Sequence, residues 1–309
     1  MSSIFGKSRG VAKAGGRPPV AVEIAPEGVL AAARANGKSD AGSGHVYAFA
    51  QLPPGALVAG IEEPNLRAPD AVTAAIRAAL NEVASRSRAV TLVLPDVLVR
   101  VFVLDFDSMP EKAAEAIPVV RFRLRKTVPF DVEHASIGYQ FLKQDENECT
   151  VLAAVMPGAI LAEYEAAIRG AGYEPGAVLP SSLAALEATD SMEAILAANL
   201  SRDALTTSIA NGNDLLLYRT IDLSEDLRQR TAEIRRGIAV AAAYFEDKLG
   251  SRPRQLHYAG IEDLSEFANS VGDRALSIVD WVPRPEQGAA TALPQLSFAG
   301  VEGALAGAN

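Results

Sequence analysis

The stretch Pro19-Val-Ala-Val-Glu-Ile-Ala-Pro-Glu-Gly-Val-Leu-Ala-Ala-Ala-Arg34 opens the part of this chain that has a regular pattern. Two apolar runs flank a Pro-Glu-Gly break, and these residue types favour a turn between paired strands. A turn rich in Gly, Ser and Asp then leads to a third alternating run, which begins at His45. The chain is therefore predicted to begin with a β-meander.

The elements that follow repeat in both halves of the sequence. Apolar residues at three- and four-residue spacing predict a helix from Pro69 to Arg86, and the apolar run from Ala89 predicts a strand buried on both faces. From residue 197 the order begins again, with Asn211-Gly212 as a hairpin turn and a long helix that ends near Lys248. The shared β-β-β-α-β-α-β order indicates a duplicated architecture.

We therefore expect an α/β protein of two lobes with a small α+β insert in the first. An insert is predicted because a strand, a helix, two strands and a helix interrupt the first half. The expected division is a flexible tail at 1–18, a first-lobe core at 19–97 and 175–188, an α+β insert at 98–174, and a second lobe at 189–309.

Composition excludes several classes of function. With 49% hydrophobic and 22% charged residues, the chain is an ordinary globular sequence rather than a disordered one. Its net charge of −9 argues against nucleic acid as a partner. The single cysteine, Cys149, lies in an apolar run and is interpreted as a core residue, which fits a reducing cytosol. No apolar run is long enough to cross a bilayer, so we expect any membrane contact to be indirect.

Four segments in the first half carry a family resemblance. They are Leu94-Pro-Asp, Val101-Phe-Val-Leu-Asp-Phe-Asp-Ser-Met-Pro, Phe122-Arg-Leu-Arg-Lys-Thr-Val-Pro-Phe and Ala135-Ser-Ile-Gly-Tyr-Gln-Phe-Leu. Their order and spacing, rather than any one of them, resemble the type IV pilus assembly protein family PilM of the actin-like ATPase superfamily. The resemblance runs from about residue 20 to a closing helix that begins near Phe298.

The resemblance implies more than the residue patterns do. It implies a two-lobed actin-like, ribonuclease H-like fold and a cytoplasmic protein held at the inner membrane through its partners. The implied partner is the cytoplasmic N-terminal segment of a PilN-like bitopic membrane protein, with other pilus platform or motor proteins as further candidates. The implied function is a non-enzymatic scaffold of the pilus assembly platform. We expect the peptide to bind between the first-lobe core and its insert.

Members of the superfamily hold ATP between the lobes with two hairpin loops, each of which begins with Asp and contains a glycine. In the first loop, Glu23 occupies the acidic position and Ala25 replaces the glycine. Pro26 has no amide proton to donate, and Glu27 would repel a phosphate. Gly28 completes this loop.

The second loop and the adenine-side turn also depart from the pattern. Asn199 and Ser201 stand where Asp and Gly are expected, Asp203 or Arg202 could compensate, and the adenine-side turn keeps only Gly260. We interpret Glu23, Ala25, Gly28, Asn199, Ser201, Asp203 and Gly260 as a vestigial nucleotide site and expect no cofactor, with ATP and Mg²⁺ disfavoured. Glu23 and Asp203 are interpreted as solvent-facing or capping carboxylates, and no catalytic residue or metal ligand is assigned.

The basic residues near position 121 and the function of the protein each have alternative interpretations. The basic residues Arg121, Arg125 and Lys126 either stay solvated at the end of a helix or contact a partner peptide or lipid headgroups. The function could also be that of an active ATPase with divergent loops. A third alternative is a GspL-like cytoplasmic component of type II secretion, although that family continues into a transmembrane helix that is not found here.

Overall fold

The computed structural model describes residues 17–35, 44–62, 64–83, 86–144, 148–189, 193–212, 214–282 and 297–308. The predicted tail therefore lies outside the described residues, except for Arg17 and Pro18. The strands are β1 Val20–Ala25, β2 Gly28–Arg34, β3 His45–Gln51, β4 Ala89–Leu94, β5 Arg100–Phe106, β6 Ala135–Gln144, β7 Cys149–Pro157, β8 Glu174–Pro180, β9 Ala194–Leu200, β10 Ala204–Asn211, β11 Asp214–Asp222, β12 Gln255–Gly260 and β13 Ser277–Asp280. The helices are α1 Pro69–Glu82, α2 Ala113–Leu124, α3 Gly158–Gly170, α4 Ser181–Leu186, α5 Leu227–Leu249, α6 Leu264–Val271 and α7 Ala299–Ala306.

The two large sheets have the same topology. The first has the order β3-β2-β1-β4-β8 and the second β11-β10-β9-β12-β13. In each sheet the first three strands along the chain form an antiparallel meander. The first strand of each meander also pairs in parallel with a later strand, β1 with β4 and β9 with β12. The duplicated architecture predicted from the sequence is confirmed. Because β1 and β4, and likewise β9 and β12, are parallel, their carboxyl ends form one edge in each lobe, where open α/β sheets bind their ligands.

The insert is a three-stranded antiparallel sheet in the order β5-β7-β6. One face packs against α2, and Cys149 is buried there. The interpretation of this cysteine as a core residue is confirmed. The opposite face places Leu152, Ala154 and Met156 in the core of the first lobe. The insert is thus fixed to the first lobe by an apolar contact.

Two helices pack against a different part of the protein from the one to which the predicted domain boundaries assign them. We assigned α3 to the insert, yet its buried Ile160, Tyr164 and Ile168 lie in the first-lobe core, where α3 contacts α1 and β8. We assigned the end of the chain to the second lobe, yet α7 contacts α4, β1 and β2 of the first. Both differences arise because packing follows the apolar face of a helix and not its position along the chain.

The long helix α5 packs as its pattern predicts. Ile234, Ile238, Ala241 and Phe245 are buried in the second-lobe core, and Ala242 packs against that core partly buried. Asp226 caps the first turn by accepting hydrogen bonds from two backbone amides. Among the described residues, we find no helix with the length and apolar character needed to span a membrane.

Candidate functional site: the cleft between the lobes

A cleft of about 780 Å³, open to solvent, lies between the two lobes. Both hairpin loops line it, together with the loop that follows β12. The seven residues that we assigned to the vestigial nucleotide site all lie in its wall: Glu23, Ala25, Gly28, Asn199, Ser201, Asp203 and Gly260. The sequence thus predicted the walls of the cleft, and the fold brings them together.

The buried carboxylate of Asp96 joins the two lobes within this cleft. It follows β4 in the first lobe and accepts hydrogen bonds from the amide (2.9 Å) and the hydroxyl of Ser182. From the second lobe, Asn199 Nδ2 (3.2 Å) and the hydroxyl of Tyr218 (2.8 Å) also donate to it. Burial raises the pKa of Asp96, and the hydrogen bonds from Ser182 and Tyr218 oppose the rise.

This network explains the amide at position 199. A carboxylate at position 199 would place a second negative charge beside Asp96, whereas Asn199 donates to it and to Ser181 Oγ at 3.3 Å. The departure from the family pattern at this position therefore has a structural cause.

Glu23 is the second buried carboxylate of the cleft. Its Oε2 is buried without a hydrogen-bond partner among the described residues, beneath α7, where a Cβ at Gly300 would lie only 2.7 Å from it. Burial raises the pKa of Glu23 to about 7, a hydrogen bond from Ser181 opposes the rise, and the charges of Asp96 and Glu27 add to it. Our interpretation of Glu23 as a solvent-facing carboxylate was wrong, because α7 returns from the second lobe to cover it.

The first hairpin loop places a negative charge at the mouth of the cleft. Glu27 Oε1 lies 3.5 Å from Arg202 Nε of the second loop, so the two loops contact each other through an ion pair. Arg202 is 69% exposed, and such pairs contribute little to stability. Gly28 has a packing reason to be glycine, since a Cβ there would lie 2.4 Å from Phe49.

The backbone amides of the second hairpin loop donate hydrogen bonds within the loop itself. Ser201 N donates to the carbonyl of Ala204 at 2.9 Å, and Ala204 N donates to Ser201 Oγ at 3.1 Å. Arg230 of α5 holds the loop from outside by donating to the carbonyls of Ser201 (2.9 Å) and Arg202. The two amides are therefore occupied within the turn, and Asp203 lies partly exposed at its tip.

The loop after β12 closes around a tyrosine. The hydroxyl of Tyr258 donates to the carbonyl of Glu262 (3.0 Å) and accepts from its amide (3.2 Å). A Cβ at Gly260 would lie 2.5 Å from this hydroxyl and 2.7 Å from the carbonyl of Leu200. The close approach of these groups accounts for Gly260 without any ligand.

The basic residues at the end of α2 do not line this cleft, and their environments differ. Arg121 donates to the carbonyls of Val132, Glu133 (3.0 Å) and Ala135 (3.4 Å), so it holds the chain that leads into β6. Arg125 lies 3.9 Å from Glu133 with both side chains exposed, and Lys126 is exposed. The two alternatives for these residues, a solvated helix end or a partner contact, stay open for Arg125 and Lys126, whereas Arg121 has a structural role.

A second groove lies where the first lobe, the insert and the second lobe meet. It encloses about 670 Å³ of open space, with the apolar side chains of Val58, Ile61 and Val97 in its wall. Charged side chains of both signs surround them: Glu62, Arg67, Arg100 and Asp222. This groove adjoins the start of β5, the first strand of the insert.

The described residues contain no cluster of three or more potential metal-ligating side chains. The three histidines lie apart. Nδ1 of His45 is 2.9 Å from Glu302, Nδ1 of His134 is 2.8 Å from Asp131, and burial lowers the pKa of His257 in β12.

No protein-family model matches this sequence, and no curated protein matches it. The structure is similar to a chain of the PilM-PilN type IV pilus biogenesis complex, with 19% identity, a TM-score of 0.68, and coverage of 94% of this chain and 97% of that one. The chain has a PilM-like, actin-like fold. It also matches the cytoplasmic domain of EpsL, an inner-membrane component of the type II secretion system of Vibrio cholerae (13% identity, TM-score 0.49, coverage 88% and 90%). A Bacteroides thetaiotaomicron protein with an actin-like ATPase fold matches at 11% identity and a TM-score of 0.45, with coverage of 88% and 93%.

Sequence reasoning missed several residues of the cleft. Asp96 was part of the resemblance, but its role was not assigned, although it directly follows a strand at the ligand-binding edge of the sheet. Ser182 and Tyr218 carry no pattern that distinguishes them from ordinary strand and helix residues. Their function in the network depends on contacts 86 and 122 residues away along the chain.

Proposed function

We propose that this protein is a non-enzymatic scaffold of a type IV pilus assembly platform, which binds the cytoplasmic N-terminal segment of a PilN-like membrane protein. The observation that carries the proposal is the similarity to a chain of the PilM-PilN complex, which extends over 94% of this chain and 97% of that one. Because the alignment covers nearly all of both chains, the insert and both lobes have counterparts in that chain.

The chemistry of the cleft supports the non-enzymatic part of the proposal. ATP would bring a polyphosphate against Glu23, Glu27 and Asp96, and the amide of Ser182 at the start of α4 already donates to Asp96. Pro26 has no amide proton, and the amides of Ser201 and Ala204 are used inside their turn. The Glu27–Arg202 ion pair also lies where the two phosphate loops would have to admit a ligand. The residues present therefore do not fit ATP with Mg²⁺.

The groove beside the insert is the proposed peptide site. Its apolar wall can take the side chains of an extended segment, and its mixed charges can pair with flanking polar residues. Val58 is 50% exposed in this groove, so its side chain is accessible to a peptide. Peptide capture needs shape and apolar surface rather than catalytic groups.

The test is calorimetric titration of the protein with a synthetic peptide of the PilN-like N-terminal segment. We expect saturable binding by the wild type and at least a tenfold weaker affinity for Val58→Asp, because a charge would be desolvated against the peptide. The matched control is Val240→Asp, since Val240 is 46% exposed on α5 of the second lobe. Equal affinities for the two variants would exclude this groove, and no binding by the wild type would exclude the partner.

A second titration addresses the enzyme alternative. With ATP and Mg²⁺ we expect no saturable heat up to millimolar nucleotide. Micromolar binding would instead favour an actin-like ATPase with divergent loops, and Glu27→Gln in the first loop and Arg202→Glu in the second would then show which loop holds the nucleotide.

A further inference from the structure

The outer face of α2 exposes an aromatic ring among positive charges. Phe122 is 80% exposed, while Ala116, Val120 and Leu124 on the opposite face of the same helix are buried against the insert sheet. Pro118, one turn before Phe122, is exposed as well. The ring thus projects from the exposed face of α2 and is not part of the core of the insert.

The charges around Phe122 are unusual for this protein. Residues 121–126 contain four cations, and residues 116–130 contain no acidic side chain, although the whole chain has a net charge of −9. Arg121 is used internally and Arg125 lies near Glu133. Arg123 and Lys126 are exposed, and neither has an ion pair among the described residues. Glu115 and Asp131 are the acidic residues that bound this stretch in the sequence, and they lie near Lys112 (3.9 Å) and His134 (2.8 Å).

We propose that this face, formed by Phe122, Arg123, Arg125 and Lys126, contacts the surface of an anionic lipid bilayer. An aromatic ring that enters the headgroup region and cations that pair with phosphates are the two interactions that hold peripheral proteins on such membranes. A convex helix face suits a planar surface, whereas an extended acidic peptide would need a groove. The proposal does not rest on the proposed function, because no partner protein takes part in it.

The contact is expected to be weak alone, since one ring and three cations provide few interactions. It becomes effective when another attachment already holds the protein near the membrane and raises its local concentration. The contact would then orient the insert towards the bilayer.

The test is co-sedimentation with phosphatidylcholine vesicles that contain or lack phosphatidylglycerol. We expect binding only with phosphatidylglycerol, and weaker binding as salt increases. Arg123→Glu with Lys126→Glu should lower the partition coefficient about tenfold or more, because each surface charge changes binding about fivefold. The matched control, Arg228→Glu with Arg236→Glu, makes the same change in net charge on exposed positions of α5.

A second measurement distinguishes a specific contact from general attraction. In Phe122→Trp, brominated lipids should quench the emission of the new indole, while the buried Trp281 of the wild type serves as the unquenched reference. Binding that does not depend on phosphatidylglycerol, equal losses in both double variants, or no quenching at position 122 would overturn the proposal. Failure of peptide binding would leave this result unaffected, so the two proposals can fail separately.

Discussion

The hydroxyl of Tyr218 in the second lobe donates a hydrogen bond of 2.8 Å to Oδ1 of Asp96 in the first lobe. Asn199 Nδ2 donates to the other oxygen at 3.2 Å. These two bonds link the lobes through a buried carboxylate in the cleft. The orientation of the lobes therefore depends on side chains of this protein itself.

We expect Tyr218→Phe to destabilise the protein by about 1–3 kcal/mol, because the buried carboxylate of Asp96 loses a donor. Urea denaturation would measure the loss. Tyr173→Phe is the control, since the Tyr173 hydroxyl donates to Asn81 Oδ1 at 3.0 Å within one lobe. Small-angle scattering should show a change in lobe separation for Tyr218→Phe only. A change of the same kind in Tyr173→Phe would argue against the link between lobes.

The raised pKa of Glu23 predicts how stability depends on pH. Because the folded state favours the protonated carboxyl, this group costs no stability below pH 4.5, and its cost grows as the pH rises through about 7. Glu23→Gln should therefore match the wild type near pH 4.5 and exceed it by up to about 3 kcal/mol above pH 8. Denaturation curves from pH 4.5 to 9 check this, with the exposed Glu225→Gln as control. A constant difference between Glu23→Gln and the wild type at all pH values would contradict the assignment.

The contact between α7 and α4 should not tolerate a methyl group. A Cβ at Gly303 would lie 1.7 Å from the carbonyl oxygen of Ala184, so the helices would have to separate. We expect Gly303→Ala to cost about 3 kcal/mol or more in the free energy of unfolding, although alanine normally favours a helix. Gly170→Ala is the control, because its nearest neighbour would be a side-chain methyl of Thr73 at 3.2 Å. Equal stability of the two variants would mean that α7 does not pack in this way.

Two arginines on α2 should differ in their effect on stability. Arg121→Ala should destabilise the insert by about 1–2 kcal/mol, because three backbone carbonyls lose their donor. Arg123→Ala, on the exposed face of the same helix, should change stability by less than about 0.5 kcal/mol. Hydrogen exchange at residues 132–136 would locate the effect. Unchanged exchange in Arg121→Ala would show that these hydrogen bonds are dispensable.

Local patterns in the sequence determined the order of the elements and the duplicated architecture. Hairpin turns such as Asn211-Gly212 and the apolar face of α5 act over a few residues, so their outcome is readable from the sequence alone. The same holds for the two hairpin loops of the cleft, because each joins two predicted strands.

Tertiary structure alone decided the environment of the charged groups. Glu23 is buried because α7 returns from the end of the chain to cover it, and Asp96 finds donors on α4, β9 and β11. Gly303 is required by a helix more than a hundred residues earlier. Burial and hydrogen bonding set the pKa values of Glu23 and Asp96, and helix packing sets the close contact at Gly303. All of these depend on residues that are distant in sequence, so no local pattern could have specified them.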